Sequence, residues 1–147
     1  MIAIACDHGG YELKLAVIEH LKKKGYEVKD FGCDSPASVD YPDYAYPVAK
    51  SVVNGEAEKG ILICGTGIGM SIAANKVKGI RCALCSDTFS AHATREHNDS
   101  NILAMGARVV GLNLALDIVD TWLGAEFMGD RHATRIAKIT KIENDEL

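Results

Sequence analysis

No apolar run in this sequence reaches the roughly 20 residues that a membrane-spanning helix needs. The opening residues, Met1-Ile2-Ala3-Ile4-Ala5-Cys6-Asp7, are short and turn acidic, without the basic n-region and cleavage site of a secretory leader. The expected compartment is therefore the cytoplasm. A surplus of positive charge is also missing: the net charge is -4, which argues against a general attraction to nucleic acid or to an anionic membrane. The five cysteines are odd in number, and Cys6, Cys64 and Cys82 sit in apolar, strand-like runs. That pattern suits reduced thiols better than a disulfide framework. The sequence shows no internal repeat, low-complexity tract or linker.

What remains is an ordinary globular chain of 147 residues, 48% hydrophobic and 24% charged. Such a chain fits one domain and can bury a core without metals or disulfides. Short β-branched runs alternate with longer amphipathic stretches. Strands are expected at 2–6, 27–31, 60–64, 81–85 and 102–105. Helices are expected at 10–24, 44–54, 70–76, 88–97 and 112–123. Gly25 is placed to close the first helix. The segment 32–43, with Gly32, Pro36, Asp40, Pro42 and Asp43, reads as a loop. In the first helix Leu13, Val17, Ile18 and Leu21 share a face, and in the last Leu116, Val119 and Leu123 do. Glu12, Lys14, Lys22, Lys23 and Lys24 read as solvent-exposed charge. The alternation predicts an α/β fold: a single Rossmann-like domain over 1–147, with a five-stranded parallel sheet covered by helices on both faces. Ligands should collect at the carboxyl ends of its strands. The tail, 129–147, adds a C-terminal helix with a weak apolar face, suited to a subunit interface or to solvent.

Four groups of residues carry chemistry. Asp7-His8-Gly9-Gly10 follows the first strand, and Cys64-Gly65-Thr66-Gly67-Ile68-Gly69 follows the third. His97-Asn98-Asp99 closes a helix, and Arg108, Arg131 and Arg135 form a late arginine set. In a parallel sheet the first two groups share one edge. Three alternate glycines let successive N–H groups turn toward one point, and the following helix adds its positive end, which makes a site for negative charge. The loop is not a P-loop, because no Gly-Lys-Ser/Thr follows. Nor is it a clean dinucleotide fingerprint, since Met70 stands at the third glycine, although Asp87 lies about 20 residues on, where a ribose-binding acid would be. Cys64 borders this nest, a setting that favours thiolate, but a cysteine ending a buried strand is equally a small core residue. Arg131 and Arg135 are four apart and share a helix face, which suits a phosphate dianion as well as a solvated surface. His92 and His97 point to different faces. Cys82 and Cys85 have no second pair, so no metal site is expected.

Taken together, Ala5-Cys6-Asp7-His8-Gly9-Gly10, Asp40-Tyr41-Pro42-Asp43-Tyr44, Cys64 to Lys76, Glu96-His97-Asn98-Asp99 and Gly106 to Gly111 resemble the ribose-5-phosphate isomerase B family, within the wider ribose/galactose isomerase group. The resemblance runs from Ile2 to about Ala137. It implies an aldose–ketose isomerase that works through an enediolate, without metal or organic cofactor. It implies Cys64 as the proton-transfer base and Thr66 with the backbone of Gly65, Gly67, Ile68 and Gly69 around the reacting carbons. It implies His97 in opening the furanose ring, with Asp7 as its partner, and Asn98 and Tyr41 as substrate contacts. His8, Arg108, Arg131 and Arg135 fall to the phosphate. The site would lie between two subunits of a homodimer or dimer of dimers, with no nucleic-acid or membrane partner. Cys64 with Met70 matches the cysteine branch rather than the serine–glutamate branch. Ribose 5-phosphate is the expected substrate. An allose or galactose 6-phosphate isomerase, a nucleotide-binding module using Asp87 and a non-catalytic subunit are the alternatives.

Overall fold

A computed structural model describes the whole chain, Met1 to Leu147. Five strands, β1 (Ile2–Cys6), β2 (Val28–Asp30), β3 (Lys59–Cys64), β4 (Cys82–Leu84) and β5 (Ile102–Gly106), alternate with six α-helices. These are α1 (Tyr11–Lys23), α2 (Pro42–Val53), α3 (Ile68–Asn75), α4 (Thr88–Asn98), α5 (Leu112–Gly124) and α6 (Arg131–Glu143), and a short 3-10 turn at His8–Gly10 leads into α1. No helix is long and apolar enough to cross a membrane.

All strand pairs are parallel, in the order β2-β1-β3-β5-β4. The order follows from burial. β1 and β5 are buried at every residue and β3 at all but its first, as strands covered on both faces must be. β2 and β4 are three residues long, with no residue fully buried, and they take the two edges. The chain leaves β1 toward one edge and returns to the other side as β3. The topological switch point, where open α/β sheets bind ligands, therefore lies between β1 and β3.

Period-two alternation divides the core. Ile2, Ile4, Cys6, Ile61, Ile63, Leu103 and Met105 pack with Val17 and Leu21 of α1, Ala91 of α4, and Ala115, Ile118, Val119 and Trp122 of α5. The intervening Ala3, Ala5, Leu62, Cys64 and Ile102 pack on the other face with Ala45, Val48 and Ala49 of α2 and Met70 and Ala74 of α3. Each large aliphatic side chain removed from water contributes about 1.5–3 kcal/mol to this three-layer arrangement. The Trp122 indole N–H donates to Ser100 Oγ at 2.9 Å, so its one polar atom is satisfied inside the core.

The structure revises several local expectations. α2 begins at Pro42 rather than Tyr44, because proline lacks only a donor that the first turn does not use and Asp43 meets the helix's positive end. α3 begins at Ile68, so the glycine turn is two residues shorter than expected. In α5 the buried stripe is Ala115, Ile118, Val119 and Trp122, and Leu116 and Leu123 only flank it. Lys14 is not exposed charge: it is 1% accessible. Its ammonium donates to Asp30 Oδ1 at 2.9 Å and to the Cys33 carbonyl at 2.6 Å. The ammonium ties α1 to the end of β2 and to the chain just beyond it, a buried role that hydropathy cannot register. In α6 only His132 is buried. Replacing Lys14 by Met keeps the stem and leaves the Cys33 carbonyl without its donor, so K14M should lose about 1–3 kcal/mol of unfolding free energy in urea. An unchanged midpoint would show that the buried ammonium adds nothing net.

Candidate active site

Backbone contacts bring three strand-end loops together at the carboxyl edge of the sheet. Gly10 lies so close to β3 that a methyl group there would meet the Ile63 carbonyl oxygen at 2.6 Å. A methyl on Gly9 would stand 3.2 Å from the Gly65 nitrogen, and one on Gly106 would strike the Thr66 carbonyl carbon at 2.5 Å. The loop after β5 is also tied by hydrogen bonds: Ala107 N–H donates to the Cys64 carbonyl at 2.8 Å and Arg108 N–H to the Gly65 carbonyl at 3.0 Å. Residues far apart in sequence thus share one small region at the switch point.

Cys64 ends β3, is 5% exposed, and its Sγ accepts the Gly67 N–H at 3.0 Å. Gly67 adopts φ +78 and caps α3, so its amide turns back toward the sulfur and away from the helix ladder. Thr66 Oγ1 accepts the Ile68 N–H at 3.2 Å. The thiol therefore sits beside the glycine turn and the N-terminal end of α3, with the Gly67 N–H directed at it. Asp7 is 8% exposed, and its Oδ1 accepts the Gly9 N–H at 2.9 Å. His8 Nδ1 accepts the Val39 N–H at 3.2 Å, which assigns the proton of the neutral ring to Nε2 and leaves a donor for a ligand. The Tyr41 ring covers Gly69, where a methyl would meet its Cε1 and Cζ at 2.7 Å. The Arg108 guanidinium lies over Gly65 and enters no ion pair within the chain. A cleft of about 450 Å³ opens beside these groups, lined by His8, Gly9, Tyr11, Ala107, Val110 and Leu112 among others.

The remaining sequence-selected residues lie elsewhere. α4 runs back from the carboxyl to the amino ends of the strands, so His97 and Asn98 stand at the opposite edge. There the Asn98 carbonyl accepts from Arg81 Nε, just before β4. The thickness of a five-residue strand, about 17 Å, separates that edge from Cys64. His97 is exposed, with its ring stacked on His132 at a centroid distance of 4.5 Å. Arg131 and Arg135, both exposed, flank His132 on α6. No hydrogen bond joins His97 to Asp7 within the chain; the Asp7 carboxylate faces its own loop. Asp87 caps α4, accepting from Ser90 N–H at 2.6 Å and Ser90 Oγ at 2.8 Å, and these bonds hold its carboxyl below the usual range. A carboxylate so occupied does not await a ribose. Cys82 and Cys85 are pushed up by burial, Cys85 to about 11, and no cluster of three His, Cys, Asp or Glu side chains is disposed around a metal position.

Sequence reasoning missed His132 and Val39, and it placed Gly106 in a motif without giving it a role. His132 sits between two arginines with no period to mark it, Val39 acts through its backbone alone, and the role of Gly106 depends on a neighbour in space.

A doubly covered parallel sheet with a glycine nest, a buried thiol and an unpaired arginine at its switch point defines an enzyme-like α/β domain for a small anionic ligand. The chain belongs to the Ribose/Galactose Isomerase family, whose model matches residues 2–139. It is 55% identical over 142 residues to ribose-5-phosphate isomerase B of Escherichia coli, with 97% of this chain and 95% of that protein covered. It is 44% identical over 146 residues to D-erythrulose-4-phosphate isomerase of Pectobacterium atrosepticum, covering 99% and 96%. The solved structure of Clostridium thermocellum ribose-5-phosphate isomerase B superposes with a TM-score of 0.98 at 61% identity, over 99% of both chains.

Gly55 and Gly67 have nearly the same φ, +79 and +78, but only Gly67 is crowded: a methyl there meets Leu84 Cδ1 at 2.6 Å and the Met105 carbonyl carbon at 2.7 Å. G55A should lose about 1 kcal/mol from the backbone alone, and G67A about 1–3 kcal/mol more from overpacking. Equal losses in urea unfolding would show that the loop yields freely.

Proposed function

We propose that the chain is an aldose–ketose isomerase that interconverts ribose 5-phosphate and ribulose 5-phosphate through an enediolate, with Cys64 as the base. The Cys64 sulfur, held by the Gly67 N–H inside the glycine nest, is the observation that carries the reading. The names of relatives matched over nearly the whole chain supply the substrate class.

In this mechanism the thiolate takes the proton from C2 of the open aldose. The electron pair moves onto the carbonyl oxygen, and the N–H groups of the loop stabilise the oxyanion as it forms. The resulting thiol returns a proton to C1, which makes the ketose, while one further proton passes between O1 and O2 beside the Thr66 hydroxyl. His8 and Arg108 hold the phosphate, and binding energy at that end positions the reacting carbons. His97, Asn98, Arg131 and Arg135 act on substrate bound to a second copy of the chain. His97 moves a proton between the ring oxygen and the anomeric hydroxyl, and the two arginines close over the phosphate. The exposure of all four side chains, at the edge away from Cys64, supports a site shared between copies. Relatives named for four- and five-carbon substrates make chain length a matter for assay, with hexose 6-phosphates included in the panel.

Purified, EDTA-treated protein should isomerise ribose 5-phosphate. C64A should lower kcat by about 10²–10⁴-fold, with KM changed little. Near-normal turnover by C64A would remove Cys64 as the base, and no turnover of any sugar phosphate by the native protein would end the isomerase reading.

Sharing of the site is tested by complementation. C64A and H97A should each be nearly inactive alone. Refolded together they should regain about a quarter of native activity, since half of the randomly paired dimers carry one intact site out of two. A mixture no better than its parts would place both residues in one chain's site.

A further inference from the structure

A second imidazole, with no part in the proposed chemistry, lies against His97. His132, the second residue of α6, is 5% exposed, and its ring lies within 16° of parallel to that of His97. Its Nε2 is buried and has no hydrogen-bond partner. Buried polar atoms nearly always find one, so an orphan calls for an explanation. No bond made by that nitrogen accounts for a histidine here. What the ring offers its surroundings is its face.

His97 has a need that such a face meets. It is exposed in the last turn of α4, and the χ2 torsion of histidine is broad rather than confined to narrow wells. Left alone, the ring plane would swing. Ring opening requires one of its nitrogens within hydrogen-bond reach of the sugar's ring oxygen, so the plane must be set before the substrate arrives. Stacked aromatic rings prefer a fixed relative geometry.

The surroundings hold His132 in place and disfavour its charged form. Burial, then the charges of Arg131, His97 and Arg135, keep its imidazole below the ordinary value, against the pull of Asp130. A positive charge on His132, set against a ring that must exchange a proton, is thus disfavoured. The backbone leading into it is constrained as well. Gly129 and Asp130 both adopt positive φ, +68 and +58, and turn the chain sharply into α6. The Met128 N–H donates to the Glu96 carbonyl at 3.1 Å, which pins this turn to the last turn of α4. A positive φ is uncommon outside glycine and costs on the order of 1 kcal/mol, which the surrounding contacts must offset.

We propose that His132 is a positioning residue: its buried ring sets the plane of the exposed His97 imidazole, so that one copy of the chain presents it in a defined orientation to the sugar ring bound on another. The inference rests on the isomerase reading and on the role of His97 in ring opening.

The test separates ring opening from proton transfer. Ribulose 5-phosphate carries its phosphate on the 5-hydroxyl and cannot close a furanose ring. Exchange of its C1 hydrogen with D₂O therefore reports the Cys64 step alone. H132A should lower turnover of ribose 5-phosphate on the order of tenfold, the scale expected of a misplaced catalytic group, while exchange stays within about twofold of native. H132F, which keeps a flat buried ring and has no nitrogen, should restore most of the turnover. Retained exchange shows that each variant is folded and assembled. Unchanged turnover by H132A overturns the proposal, as does an equal loss of turnover and exchange, which would indicate a merely structural role. So does H132F failing as badly as H132A. Native protein that neither turns over nor exchanges would instead defeat the isomerase reading itself.

Discussion

Backbone-to-backbone approach at the carboxyl ends of β1, β3 and β5 is the constraint on which the rest depends. Parallel pairing puts strand ends level with one another, but side chains would normally hold the loops beyond them apart. Here Gly9 and Gly10 lie on Gly65 and Ile63, and Gly106 lies on Thr66. The loops touch main chain to main chain, so the amides of the glycine turn are aimed by the sheet itself. Cys64 gains a fixed donor from Gly67, and Arg108 is laid across Gly65, without either needing a long side chain to reach the other. The crowding that makes a methyl group intolerable at these positions also makes the nest rigid.

The sheet imposes a second consequence through the direction of its helices. A helix that follows a strand in a parallel sheet starts at one edge and must finish at the other. α4 therefore carries His97 away from the thiol however the local sequence is arranged. α6, whose first turn packs over the end of α4 and whose Glu143 accepts the Gly79 N–H, gathers Arg131 and Arg135 at that same far edge. The molecule has two chemically distinct poles. The pole at the switch point holds groups able to polarise and deprotonate a bound carbon acid. The far pole holds groups able to move a proton at an exposed position and to pair with phosphate.

Much of this was readable from the residues. The alternation of buried strands with amphipathic helices yields the parallel α/β class, and positions 2–6, 60–64 and 102–105 are apolar enough to mark the inner strands almost to the residue. The glycine run after Cys64 marks the nest. The strand order was not readable, because nothing local in Cys82–Leu84 says that β5 will slip between it and β3; only the comparison of lengths and burial does. Lys14 deceived for a related reason, since a lysine with one charged end and a long apolar stem looks the same whether its ammonium meets water or a carbonyl. His132 and the amide of Val39 belong to a third kind. Their contributions are a ring face and a backbone donor, and composition and period carry no trace of either.

The far placement of His97 also bears on how such a protein behaves in a cell. When the two halves of a reaction centre belong to different copies of a chain, catalysis becomes a property of concentration as well as of structure. Were the site shared as proposed, dilution below the dissociation constant of the assembly would leave folded chains with intact nests and no partner to open the sugar ring, and rate per chain would follow a binding isotherm. Expression level would act as a regulator in its own right, steepest where the chain is scarce, with no dedicated effector site required.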